Sequence, residues 1–244
     1  MASLYVVGTP IGNLSDISQR ALDTLKLVDY ILCEDTRVSQ KMLTRFGIKK
    51  PMISYHQHSK LDKVDCILNL LRDGKNLALI SDAGTPGVSD PGGQLVEAVI
   101  KEFGDSVGVK IEPIPGPSAL TAVASVCGFS MDRFIFLGFP PIKKKRQQFF
   151  EEVVNSKYPV IFYESPYRIL KTLNEILKYR DVEMFLVVGR ELTKKFETIY
   201  RGSLQDVAKK IESDKVGGSI KGEFVVVIKN SKEGDNIDTA TAKF

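Results

Sequence analysis

Cysteine and histidine are scarce in this chain of 244 residues, which holds Cys33, Cys66, Cys127, His56 and His58 and no others of either type. The cysteines are far apart and odd in number, so they imply neither a disulfide framework nor a CxxC metal site and read as reduced thiols. With so few imidazoles no zinc, and no other metal, is expected. Long hydrophobic runs are missing too, which excludes a membrane-spanning helix. The opening MASLYVVGTP lacks the basic start and apolar core of a signal peptide, so a cytoplasmic location is expected. A large charge of one sign is also absent: 34 Lys and Arg stand against 30 Asp and Glu, for a net +4. That balance permits a polyanionic partner without requiring one. Neither GxGxxG nor a P-loop lysine occurs, which disfavours nucleoside triphosphate chemistry.

What remains is a globular composition, 43% hydrophobic and 26% charged, long enough for one large domain or two. The first half alternates strand and helix patterns. Strands are expected at Leu4–Val7, Tyr30–Cys33, Pro51–Tyr55, Leu77–Ile80 and Lys110–Ile114. Helices are expected at Ser18–Val28, from Asp35 or Thr36 to Phe46, at Leu61–Asp73 and at Leu95–Phe103. This βαβα order marks an α/β class with parallel strands. After Ser118 the texture changes. Helices are expected at Ala119–Val126, Arg146–Val154, Arg168–Leu177 and Leu204–Ile211, and strands at Phe134–Leu137, Val160–Tyr163, Met184–Gly189, Ile199–Arg201 and Phe224–Ile228. The expected organisation is a domain over 1–116, a second over 117–230 and a flexible polar tail over 231–244.

Three Gly/Pro-rich turns each follow an apolar strand: Gly8–Asn13, Ser81–Gly92 and Pro115–Ser118. Each alone reads as a tight turn. Three at comparable strand ends point to one shared cleft, because open α/β sheets hold ligands beyond the carboxyl ends of their strands. Two charged segments stand out: Glu34-Asp35-Thr36-Arg37, and Arg190-Glu191 with Lys194. They read either as acid, base and cation around a reacting hydroxyl or as ion pairs tying loops together. His56 and His58 would share a face of an extended segment, either at the rim of a site or in loop packing. Lys143, Lys144, Lys145 and Arg146 form a basic run at the start of a helix.

The collinear segments Tyr5–Leu14, Glu34–Arg37, Ser81–Pro86, Pro115–Ala119, Tyr163–Ser165 with Arg168, Arg190–Lys194 and Gly222-Glu223 together resemble the tetrapyrrole methylase superfamily, and within it the branch acting on ribosomal RNA. The resemblance implies a two-domain class III methyltransferase fold with a cofactor cleft between the domains. The cofactor implied is S-adenosylmethionine, flanked by Pro10, Ala83, Gly84, Thr85, Val88, Ser118 and Ala119, and also by Asp82, Tyr163 and Gly222. The activity implied is 2′-O-methylation of a cytidine ribose in the decoding region of small-subunit (16S) ribosomal RNA, by a homodimer. Glu34, Asp35, Arg37, Arg190, Glu191 and Lys194 then become the catalytic candidates. Lys143–Arg146, His56, His58 and Arg168 become candidate RNA contacts, and Tyr163, Tyr167 and Phe139 could stack on an unpaired base. The chain departs from the resemblance at Ser59-Lys60, where relatives carry Asn-Glu, and at Pro140, where they carry Leu. Two rivals are a methylase of a tetrapyrrole or other small molecule, and a non-catalytic ribosome-binding protein. A nucleotide-binding regulator is disfavoured by the missing phosphate-binding lysine.

Overall fold

A computed structural model describes residues 2–56, 61–104, 108–179, 183–215 and 219–230. The chain divides into two compact units between Ser118 and Ala119. His58 and the tail after Asn230 lie outside the described residues.

In the first unit, strands β1 (Ala2–Val7), β2 (Tyr30–Cys33), β3 (Met52–Ser54), β4 (Leu77–Leu79) and β5 (Val109–Ile114) form a sheet in the order β3-β2-β4-β1-β5. All of its pairings are parallel. The strands are short and apolar because both faces are covered. Side chains alternate between the two faces. Leu4, Leu32, Leu77 and Leu79 pack with α3 (Leu61–Arg72) and α4 (Gly93–Phe103). Val7, Ile31, Cys33, Ala78 and Ile80 pack with α1 (Gln19–Leu27) and α2 (Thr36–Arg45). Capping fixes where the helices begin. Ser18 accepts from the Ala21 N–H at 3.1 Å, and Asp35 accepts from the Arg37 N–H at 2.8 Å, each satisfying an orphan donor of a first turn. A 3-10 turn at Leu14–Asp16, not expected from the sequence, is capped by Asn13.

The connection from β1 leads towards β2, whereas the one from β4 crosses β1 to reach β5. Adjacent strands whose connections leave in opposite directions open a crevice at their carboxyl ends, where doubly wound sheets bind ligands. The glycine-rich turns follow these strands.

The second unit is built differently. Strands β6 (Ile135–Phe136), β7 (Val160–Glu164), β8 (Met184–Arg190), β9 (Thr198–Ser203) and β10 (Phe224–Asn230) take the order β6-β7-β10-β8-β9. Among the described residues only β6 and β7 pair in parallel, and the other pairings of this sheet are antiparallel. The last strand, β10, is hydrogen-bonded on both edges, which accounts for its unbroken run Phe224–Ile228. One face is covered by α6 (Arg146–Asn155), α7 (Ile169–Ile176) and α8 (Leu204–Ser213). The short helix α5 (Ala119–Ser125) packs against β8 and β10. Among the described residues no helix is long and apolar enough to cross a membrane.

Candidate active site

The three turns of the first unit are joined by their main chains. Thr9, fully buried, forms a two-way bridge with Gly84: its N–H donates to the Gly84 carbonyl at 2.8 Å and its carbonyl accepts from the Gly84 N–H at 3.1 Å. The Thr9 hydroxyl lies 3.3 Å from the Ser81 carbonyl oxygen, so the turn after β1 is stitched to the turn after β4. The turn after β5 reaches the same place through Gly8 and Gly116. A β-carbon on Gly116 would lie 2.6 Å from the Gly8 carbonyl oxygen, and one on Gly8 would lie 2.8 Å from the Gly116 nitrogen. Only glycine allows two backbones to meet so closely.

This stitching sorts the cofactor candidates. Pro10 and Gly84 are buried and build the loops, and Gly84 has the left-handed backbone (φ 80°) that the turn requires. Asp82, Ala83 and Val88 are exposed on the same loop, Thr85 is half-buried, and Ser118 and Ala119 are half-buried where β5 gives way to α5.

The charged residues after β2 meet this edge. The Asp35 N–H donates to the Asp82 carboxylate at 3.2 Å, tying the β2 and β4 loops together. Asp35 is also engaged by Arg37, whose Nε and Nη2 lie 3.1 and 2.6 Å from its two oxygens. The Arg37 side chain and the helix N-terminus hold the Asp35 carboxyl far below the usual carboxylate range. Glu34 moves the other way: burial, reinforced by the nearby charge of Asp82, raises its pKa, while His56 opposes the rise. His56 Nε2 lies 2.8 Å from the Ser54 hydroxyl, which itself donates to the Glu34 carbonyl at 3.4 Å. So Glu34, Asp35, Arg37, Asp82 and His56 form one cluster at the carboxyl edge of the first sheet.

The second charged segment forms a network within the second unit. Glu191 and Thr193 both adopt left-handed backbones, folding the loop between β8 and β9 back on itself. Glu191 Oε1 accepts from the Glu223 N–H at 2.9 Å and from Lys194 Nζ at 3.0 Å, and Lys194 reaches the Glu223 carboxylate at 2.8 Å. Burial pushes the Glu191 carboxyl up, but the Glu223 N–H and Lys194 outweigh it and hold it below its ordinary value. Burial lowers Lys194, but its two carboxylate partners outweigh that and raise it. Gly222 lies under this network. A β-carbon there would come within 2.5 Å of Glu191 Cγ, and its backbone is at φ 102°. Arg190 points to another set of partners, the Lys221 carbonyl at 2.9 Å and Asp214 at 3.6 Å.

Two of the expected RNA contacts are engaged by partners within the second unit. Arg146 does not extend the lysine run: it is 8% exposed, with Nε 2.7 Å from Glu175, Nη1 2.9 Å from the Pro141 carbonyl and Nη2 2.8 Å from the Thr172 hydroxyl. Arg168 is likewise committed, to Glu164 at 2.8 Å and to the Pro140 carbonyl at 3.0 Å. Glu164 is buried and also bonded to Thr172 at 2.6 Å, so both guanidiniums belong to one internal network in which each charge has a partner. Lys143, Lys144 and Lys145 stay exposed. Tyr163 packs against Phe136 and Phe139, with ring centroids 5.0 and 5.5 Å apart. The sequence reading missed Gly8, Thr9, Ser81 and Gly116 as partners. No local signal announces a pairing between turns so distant in the chain.

With this geometry in hand, comparison with known proteins fixes the class. The family model for tetrapyrrole (corrin/porphyrin) methylases matches residues 3–208. A solved cobalt precorrin-4 methyltransferase superposes with a TM-score of 0.66 at 19% identity, covering 92% of this chain and 94% of that one. The chain is 42% identical over 236 residues to the ribosomal RNA small subunit methyltransferase I of Synechocystis sp., covering 96% of this chain and 81% of that protein. It is 42% identical over 221 residues to the protein of the same name from Thermotoga maritima, covering 90% and 96%. The chain therefore belongs to the tetrapyrrole methylases and, among them, to the ribosomal RNA small subunit methyltransferase I family.

Proposed function

We propose that this protein transfers a methyl group from S-adenosylmethionine to the ribose 2′-hydroxyl of a cytidine in the decoding region of small-subunit ribosomal RNA. The observation that carries the reading is the cluster at the carboxyl edge of the first sheet, in a chain whose relatives are named ribosomal RNA small subunit methyltransferase I. The edge suits the cofactor. Its exposed loop backbone is uncharged and closely approachable, and the carboxylates of Glu34, Asp35 and Asp82 favour a cationic ligand over a phosphate. Asp82, Ala83, Thr85, Val88 and Ser118 would hold it. When bound, the cofactor supplies an electrophilic methyl group on a sulfonium with a good leaving group.

The protein's own task is to orient the hydroxyl and take its proton. Glu34 is the better base of the two adjacent carboxylates. Asp35 is engaged by Arg37 and is a weak base for that reason, whereas burial raises Glu34 above its ordinary value. Asp35 and Arg37 fix the start of α2, on which Glu34 depends for its position. Arg190, Glu191, Lys194 and Gly222 are assigned to holding the β8–β9 loop in shape. The fold likeness to cobalt precorrin-4 methyltransferase supplies the rival, a tetrapyrrole acceptor. Purified protein offered labelled S-adenosylmethionine with either unmodified small ribosomal subunits or a porphyrin precursor separates them: label in the RNA supports the reading, and label only in the porphyrin overturns it.

A further inference from the structure

We propose that the loop carrying Phe139, Ile142 and Lys143–Lys145, together with the ring of Tyr167, forms a gripping surface for unpaired nucleotides of the RNA substrate. The inference rests on the functional reading above and assigns the surface that holds the substrate outside the reacting cluster.

Three apolar side chains face water here: Phe139 is 51% exposed, Ile142 73% and Tyr167 91%. The backbone that carries them is held by the internal arginine network. Arg168, next to Tyr167, donates to the Pro140 carbonyl, next to Phe139, and Arg146 donates to the Pro141 carbonyl, next to Ile142. The Tyr163 N–H, on β7, donates to the Gly138 carbonyl at 2.8 Å and pins the other end of the loop. Glu164, Thr172 and Glu175 hold the two guanidiniums in turn. A loop fixed by buried charges is preorganised, so binding costs it little ordering entropy.

The same loop continues into Lys143, Lys144 and Lys145, all exposed. Among the described residues none of their ammonium groups takes part in an ion pair. Exposed cations on the same loop as an exposed aromatic side chain match a ligand that is both polyanionic and flat-faced. Unpaired RNA is such a ligand: bases stack on the rings and phosphates sit against the lysines. A duplex hides its base faces and could use only the lysines.

The test measures anisotropy of a labelled RNA hairpin with an unpaired loop, and of a duplex of equal length, across a salt series with the full chain. Two variants are compared, F139A/Y167A and K143Q/K144Q/K145Q, with S-adenosylmethionine affinity and thermal unfolding confirming that each is folded. The wild type is expected to prefer the hairpin. The aromatic variant should lose roughly tenfold or more in hairpin affinity at unchanged salt slope, since stacking is insensitive to salt. The lysine variant should lower the salt slope by about 2. Wild-type hairpin binding by both variants overturns the proposal. So does a change in monomer–dimer equilibrium on sedimentation with RNA affinity intact, which would make this a surface between copies. Hairpin binding that depends on the surface, in a protein that methylates no small subunit, would leave this inference standing and sink the functional reading. Methyl transfer by both variants at wild-type KM would do the reverse.

Discussion

Gly8 and Gly116 meet backbone to backbone, so closely that a β-carbon on Gly116 would lie 2.6 Å from the Gly8 carbonyl oxygen. This contact sets the spacing between the turn after β1 and the turn after β5. Gly116→Ala must force the two loops apart, because the atoms it meets are main chain and cannot rotate away. Overpacking of this kind costs about 1–3 kcal/mol. The expected result is a lowered Tm together with weakened S-adenosylmethionine binding by calorimetry. Unchanged affinity in a folded Gly116→Ala protein would detach this contact from the cofactor site.

Glu34 gives a kinetic prediction. Its pKa is raised above the usual 4.5, so the proton-free form that can act as a base is lost as pH falls through that raised value. The kcat for methyl transfer should therefore fall on the acid side, with the midpoint above that of an ordinary glutamate. Glu34→Gln should remove this limb and lower kcat by about 10²–10⁴-fold while cofactor affinity is kept. A Glu34→Gln enzyme with normal turnover would take Glu34 out of the reaction.

Gly222 and Glu191 are coupled by shape. Gly222→Ala places a methyl group 2.5 Å from Glu191 Cγ at a backbone angle that disfavours side chains, and should cost about 1–3 kcal/mol. Trimming Glu191 to alanine relieves the clash but not the backbone strain, so the double variant should be more stable than the sum of the singles implies. Denaturant titration of the four proteins measures this directly, and strict additivity would deny the contact. Because the Glu191 carboxyl is held below its usual 4.5, its stabilising contribution is complete above that pH. The contribution is lost as pH falls through the lower folded value.

Arg146 and its lysine neighbours should behave oppositely. Arg146→Ala removes the close guanidinium partner of Glu175, which keeps only Lys171 at 4.0 Å, and one of the two hydrogen bonds of the Thr172 hydroxyl, a loss of about 3 kcal/mol. Thermal unfolding should register it strongly. If Arg146→Ala were as stable as wild type, the internal network would not hold the Pro140-Pro141 loop.

Much of this was legible in the sequence, and the illegible parts share a physical cause. Tyr30–Cys33 reads as a strand and is one to the residue, because a short apolar run bounded by polar residues leaves little choice. The helix after it was expected to be capped by Asp35 or Thr36, and Asp35 is the cap. The strand direction in the second sheet was not legible. Phe224–Ile228 looks equally buried whether its neighbours run with it or against it. Arg146 was misread with the lysines because its partners Thr172 and Glu175 lie on another helix, which the local sequence cannot reveal. At the candidate site, the loops and the carboxylates were visible as motifs. That Arg37 turns back onto Asp35 and leaves Glu34 outside the ion pair was not.

The central claim is tested most directly by incubating the protein with S-adenosylmethionine and purified small ribosomal subunits that lack the modification, then mapping the RNA by mass spectrometry. The account predicts a single new 2′-O-methylated cytidine, in the decoding region, whose formation is lost in Glu34→Gln. No methylated ribose, in a protein shown to bind S-adenosylmethionine, would contradict it.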